Sequence, residues 1–303
     1  MDIVHPKYKL LDWIEVEKLD WRELSYEPKA INLLLENQDK ISWIDFSSNP
    51  AAVDFLSVNQ DKINWNNICE NENAMELIKK NQDKINWTIL SANESAVELF
   101  EENKDKINWF TIISNTAAID FIIENLVRIK CVDRLSENYN AIDYLIKNGL
   151  SISFYYLSEN PNPKAIKILE DNLHLIDWFR LSDNHSYEAV ELLKKHKDKI
   201  IWSHLCENPF ASTILRENID KIEWDRLSAN ESMMDLLYAN QDKINWQYLS
   251  TNPGIFEVDY DFYHRRINSG QLSLKEELMQ KVFHPERLLY YLEKYNYDIS
   301  EEF

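Results

Sequence analysis

The chain predicts an all-α fold, an α-solenoid built from eleven two-helix repeats of about 22 residues, on three observations. A tryptophan or a substitute recurs at Trp21, Trp43, Trp65, Trp87, Trp109, Val132, Phe154, Trp178, Trp202, Trp224 and Trp246, with spacings of 22 residues except for one of 23 and two of 24. The third residue after each of these slots is aliphatic or Phe in all eleven repeats, from Leu24 and Phe46 to Leu227 and Leu249. Two apolar residues three apart share one face of a helix. Only three glycines in 303 residues speak against turn-rich β structure. A β-containing horseshoe of similar period would need an alternating Leu-x-Leu strand, and none stands before the recurring Asn.

Residues 1–20 read as an N-terminal cap. Leu10-Leu11-Asp12-Trp13 resembles Leu19-Asp20-Trp21, so Trp13 is expected to act as a half-repeat over the exposed end of the array.

Residues 21–252 are the repeat array, and each slot can be numbered from its tryptophan as zero. Position −1 is usually Asp, Asn or Ser, such as Asp20, Asn86 and Asn245, which cap the free amides of a first short helix. The tryptophan and the +3 residue are expected to be buried together. Position +6 is Asn in ten repeats, and Pro follows it at Pro50, Pro161, Pro209 and Pro253. Asn as cap with Pro at the first helical position starts a second helix, because Pro there gives up no hydrogen bond. Its apolar stripe reads Ala52, Val53, Phe55, Leu56 or Ala96, Val97, Leu99, Phe100. The recurring Ala lets neighbouring helices approach closely. A further Asn (Asn37, Asn59, Asn81) or Gly149 ends the helix in a left-handed cap, and Asp-Lys-Ile leads to the next slot. At one helix spacing per repeat the array would extend about 100 Å.

The middle is irregular. The slot becomes Val132 and then Phe154, Arg128, Lys130 and Arg134 add positive charge, and two residues are inserted near Pro161-Asn162 and again near His185-Ser186. Residues 253–303 form a C-terminal helical cap, with helical patterns over Leu274–Phe283 and from Glu286 to Tyr295.

The pattern Asn-Gln-Asp-Lys-Ile-Asn-Trp, complete at Asn59–Trp65, Asn81–Trp87 and Asn240–Trp246, resembles the Asp-Lys-Ile-Asn-Trp repeats of proteins encoded in many copies by nucleocytoplasmic large DNA viruses. The segment Val282-Phe283-His284-Pro285-Glu286-Arg287-Leu288 is similar to the ending of such proteins. The resemblance implies a viral repeat protein with no assigned activity and no catalytic residues to carry over.

Composition narrows the function classes. With 33 basic and 52 acidic residues the net charge is −19, which repels a phosphate backbone and argues against a nucleic-acid partner. Cys69 and Cys206 fill a small-residue slot at +4 that is otherwise mostly Ser, and with Cys131 they make no disulfide framework, which suits a reducing compartment. Neither a signal-peptide core nor a membrane-length apolar run is present. The expected location is cytoplasmic: the host cytoplasm, a viral factory or a virion interior.

Reactive chemistry is not legible. His196, His204 and Cys206 lack a fourth metal ligand, and there is no phosphate-binding glycine loop or nucleophile elbow. No cofactor and no catalytic residue is expected. The expected function is a non-enzymatic scaffold that binds a protein partner, host or viral, through its repeat surface. Positions +1 and +2 vary inside a fixed frame, and the types found there dominate interface energetics. They nominate Phe110, Arg134, Tyr155, Tyr156, Phe179, Arg180 and His204 as partner-binding residues. An alternative is a ubiquitin-ligase adaptor, on the faint F-box-like character of Leu274–Leu278 and Lys281–Phe283.

Overall fold

The computed structural model describes residues 7–268, and these form two compact bodies. The large one is Lys9–Glu257; the described residues 7–8 and 258–268 belong to the other. Within the described residues the regular secondary structure is almost wholly helical, in many short pieces. The segments 274–283 and 286–295, and with them the F-box-like motif, lie outside the described residues.

One repeat shows how the sequence makes these pieces. Trp43–Ser48 is an α-helix of 6 residues, Pro50–Ala52 a 3-10 turn, Val53–Val58 a second α-helix and Gln60–Lys62 another 3-10 turn. Each first helix is short because its cap is followed seven residues later by the next one, as Ser42 is by Asn49. At position −1, Asp20, Asn64, Asn86, Asn108, Asp177 and Asn245 accept from backbone amides of the first turn. Ser42 does not, since its hydroxyl donates to Asp45 instead.

Burial separates two positions that the sequence suggested as a pair. The +3 residue is fully buried in every repeat, from Leu24 and Phe46 to Leu249. The tryptophans are only half-buried. Their rings are covered on one face by the cation at −3 of the next repeat, as Lys40 lies 4.4 Å over Trp21 and Lys84 4.6 Å over Trp65. The long Lys stem shields the ring while its ammonium stays wet.

The second helix ends differently from the expected left-handed cap. Asn37, with φ −130° and ψ 54°, is representative. Its side-chain amide donates to the carbonyl of Leu33, four residues back, and its own carbonyl accepts from Lys40 N–H. Asn59, Asn81, Asn218 and Asn240 make the same side-chain bond. The amide thus satisfies a helix-end carbonyl and needs no positive φ. Gly149, at φ 59°, is the left-handed exception.

The +6 asparagine does more than cap. Asn49 Oδ1 accepts from Ala51 N–H, while its amide nitrogen donates to the carbonyls of Ser25 and Glu27 in the preceding repeat. Asn71, Asn115, Asn138, Asn160, Asn184 and Asn230 likewise bridge back to two carbonyls. All ten +6 asparagines are buried, so these amides form an internal polar spine with its hydrogen bonds satisfied.

The two-residue insertions change how the second helix starts. Asn160 keeps its place in the spine, and the helix Pro163–Glu170 is capped by Asn162, not by the expected Asn160 with Pro161. In the next repeat Asn184 stays in the spine and Ser186 caps Tyr187–Lys195. Splitting the two jobs allows continuous helices of 8 and 9 residues in place of turn plus helix. Despite Val132 and Phe154 in the slot, Leu135 and Leu157 remain fully buried, so packing is continuous through the middle.

The array does not extend as an open rod. Between consecutive repeats the +4 hydroxyl accepts from the −1 amide of the next, as Ser25 Oγ does from Ser42 N–H at 2.9 Å and Ser47 Oγ from Asn64 N–H at 2.9 Å. Ser250 Oγ, in the eleventh repeat, accepts from Asp20 N–H at 2.8 Å. The −3 cation contact recurs too, with Lys18 4.9 Å over Trp246. A third contact, from the +8 side chain to the +7 carbonyl of the repeat before, joins Asn73 to Pro50 at 3.0 Å and Lys29 Nζ to Pro253 at 3.1 Å. Three kinds of contact that link neighbours therefore also link the last repeat to the first. The Lys9–Glu257 body is a closed ring.

Closure corrects the expected 100 Å array and the role given to residues 9–20. Val16–Lys18 is the first repeat's copy of the turn before the slot, and Trp13 meets Tyr238 edge-on at 5.6 Å. There is no open array end for Trp13 to cover. The short strands β1 (Tyr8–Leu10) and β2 (Phe256–Val258) pair, and Leu11 N–H donates to Ile255 O at 2.9 Å. The smaller body holds the helix Tyr260–Asn268, in which the Tyr263 hydroxyl accepts from Lys7 N–H.

Candidate partner-binding surface

Positions +1, +2 and +5 lie on the side of the first helix away from the buried +3 residue, and side chains from successive repeats meet there. Phe110 is 58% exposed, and the Arg134 guanidinium lies 4.2 Å over its ring. Arg134 donates to the Phe110 carbonyl and pairs with Glu137 at 2.8 Å. Two and three repeats further on, Tyr155 is 48% exposed under the Arg180 guanidinium and Phe179 is 55% exposed against the His204 ring, 4.2 Å between centroids. Arg180 also meets the Tyr155 hydroxyl and Glu159, and His204 Nδ1 sits 3.2 Å from Asp183. Tyr156 is half-buried, edge-on to Tyr155 at 5.1 Å.

The seven nominated residues therefore fall into two groups. Tyr155, Tyr156, Phe179, Arg180 and His204 share contacts across the seventh to ninth repeats; Phe110 and Arg134 form a separate bracket between the fifth and sixth. Arg134, Arg180 and His204 are half-buried and engaged, whereas Phe110, Tyr155 and Phe179 remain open to solvent. Each bracket holds a ring from one side, by a guanidinium over Phe110 and Tyr155 and by the His204 ring edge-on to Phe179, with a carboxylate beside the bracing side chain.

Sequence reasoning missed the carboxylates at +5. Glu159, Asp183 and Glu207 precede Arg180, His204 and Arg226, each reaching forward to the +2 side chain of the next repeat. The signal was present as an acid at +5 before each basic +2 residue of the eighth, ninth and tenth repeats. Burial raises the Glu159 carboxyl above its ordinary range, Arg180 pulls the other way, and Glu137, Asp183 and Asp177 push it up further. Desolvation thus outweighs the ion pair.

The cysteines and histidines have packing partners of their own. Burial pushes the Cys206 thiol up to about 11, and its sulfur accepts from Glu223 N–H in the slot that Ser takes elsewhere. His196 lies against Trp178, apart from the Phe179–His204 bracket. Among the described residues no group of three His, Cys, Asp or Glu side chains could hold a metal, and no helix is long and apolar enough to cross a membrane. A shallow depression of about 350 Å³ spans the junction of last and first repeats, between Glu23, Arg226, Gln247, Tyr248 and Thr251.

No protein-family model, curated protein or solved structure matches this chain.

Proposed function

We propose that the protein is a non-enzymatic scaffold that binds a protein partner through the braced aromatic residues of its fifth to ninth repeats. The observation that carries this reading is the exposure of Phe110, Tyr155 and Phe179, each held by a +2 side chain of the following repeat: Arg134, Arg180 and His204. An aromatic side chain already held in place loses little freedom on binding, so more of its contact energy remains as affinity. The net charge of −19 makes nucleic acid a poor occupant of this surface. The resemblance to viral repeat proteins suggests a host factor or another viral component as partner, met in the host cytoplasm, a viral factory or the virion interior.

The test is quantitative capture from the native cell with the intact protein and two double variants. Tyr155→Ala/Phe179→Ala should weaken binding of the specific partner by about 2 kcal/mol or more, with an unchanged melting temperature. Asn66→Ala/Thr88→Ala alters the equivalent +1 slots of repeats without brackets and should bind like the wild type. Equal loss in both variants, or in neither, would remove the aromatic surface from the interface.

A further inference from the structure

Ten of the ring's eleven joints are also joined by the chain, and at each of them the incoming repeat brings a +6 asparagine. The eleventh joint, between the last repeat and the first, has neither. Its +6 residue is Glu27, which is 8% exposed. One carboxylate oxygen, Oε1, accepts from Lys29 N–H at 2.9 Å, the bond that Asn Oδ1 makes to the +8 amide elsewhere. In the spine the amide nitrogen donates to the +4 and +6 carbonyls of the repeat before. At this joint those carbonyls belong to Ser250 and Asn252. An ionised carboxylate brings no proton to them, whereas a protonated one can donate to either.

We propose that the ring has one built-in opening joint, between its eleventh and first repeats, and that ionisation of Glu27 loosens it while protonation closes it. The other ties across this joint include the pairing of β1 with β2, the Lys9–Glu257 ion pair at 3.1 Å, Leu11 N–H to Ile255 O, Asp20 N–H to Ser250 Oγ, Lys29 Nζ to Pro253 O, and the Lys18 and Trp13 ring contacts. The charged groups around Glu27 are Lys29 on its own turn and Glu231 on the turn of the tenth repeat. The packed segments Ser250–Ile255 and Asn49–Ala52 contain no titratable side chain. Desolvation raises the Glu27 carboxyl above the ordinary value of 4.5, Lys29 lowers it, and Glu231 raises it. For a carboxyl displaced upward, the protonated closed form is favoured below 4.5, and that advantage is lost as pH rises through the displaced value.

Hydrogen exchange on the full chain tests this, with protection factors corrected for the intrinsic pH dependence of exchange. Leu11 and Asp20 report the closing joint; Ser42 and Asn108, bonded in the same way to Ser25 and Ser91, report ordinary joints. In the wild type, protection at Leu11 and Asp20 relative to Ser42 and Asn108 should fall several-fold as pH is raised from about 4.5 to about 7. Glu27→Gln, a permanent donor, should remove that dependence and raise protection at the joint about tenfold at neutral pH. Glu27→Asn restores the residue used at the other joints and should act in the same direction if Gln proves a poor fit. A pH-independent ratio in the wild type, or the same ratio in the wild type and both variants, would overturn the proposal.

Discussion

The joint between the second and third repeats and the joint between the eleventh and first use similar contacts on different terms. At the first, Asn71 bridges back to the carbonyls of Ser47 and Asn49, and Asn64 N–H reaches Ser47 Oγ. At the second, Asp20 N–H reaches Ser250 Oγ, but Glu27 stands where the bridging amide would be. Repetition supplies closure for little new sequence, because the faces that meet at the ends already fit faces inside the array. The difference shows what the spine contributes: an amide can satisfy carbonyl acceptors across the joint and an N–H donor on its own side without carrying charge, and a carboxylate cannot.

The core beneath these joints should respond most strongly. Phe46→Ala removes a fully buried ring and is expected to cost about 3–5 kcal/mol in urea unfolding. Trp43→Ala, from the half-buried slot on the same helix, should cost clearly less. Equal losses would mean that the tryptophan, not the +3 residue, anchors the repeat.

Asn71→Ala comes next, at about 2–3 kcal/mol, since two buried carbonyls lose their donor and Asn73 N–H loses its cap. The opposite sign is expected at the closing joint, where Glu27→Asn should stabilise. If both substitutions destabilise to a similar degree, Glu27 is already serving its joint as well as the asparagines serve theirs.

Much of this was legible in the sequence. The period, the +3 core and the small +9 residue follow from spacing, and Ala30, Ala52 and Ala96 are fully buried as their slot requires. The spine was half-legible: Asn before Pro gave the cap, but periodicity says nothing about where the other end of the amide points. Closure was not read, because it depends on a small rotation per repeat summed over the array. A clue was nevertheless present. An open solenoid needs polar outer faces on its terminal repeats, yet Lys18 and Asp20 at one end and Ser250 and Asn252 at the other keep the internal pattern. Of the nominated surface, the outward slots were readable from variation in a fixed frame, while the brackets needed the distance between repeats.

The smallest effect separates global from local stability most cleanly. Lys84 lies 4.6 Å over Trp65 at an ordinary joint, and Lys18 lies 4.9 Å over Trp246 at the closing one. Replacing either by Met keeps an apolar stem on the ring and removes the charge, so each should cost about 0.5–1 kcal/mol of global stability. The local consequence differs. At the ordinary joint the covalent chain and Asn93, bonded to Cys69 O, still hold the next repeat, and exchange at Leu11 and Asp20 should be unchanged in Lys84→Met. Lys18→Met removes a tie from the joint that lacks both covalent continuity and a bridging asparagine, and the same amides should exchange about 2–5 times faster. Similar exchange at Leu11 and Asp20 in both variants would show that the ring is equally strong at every joint, and the distinction drawn from Glu27 would fail with it.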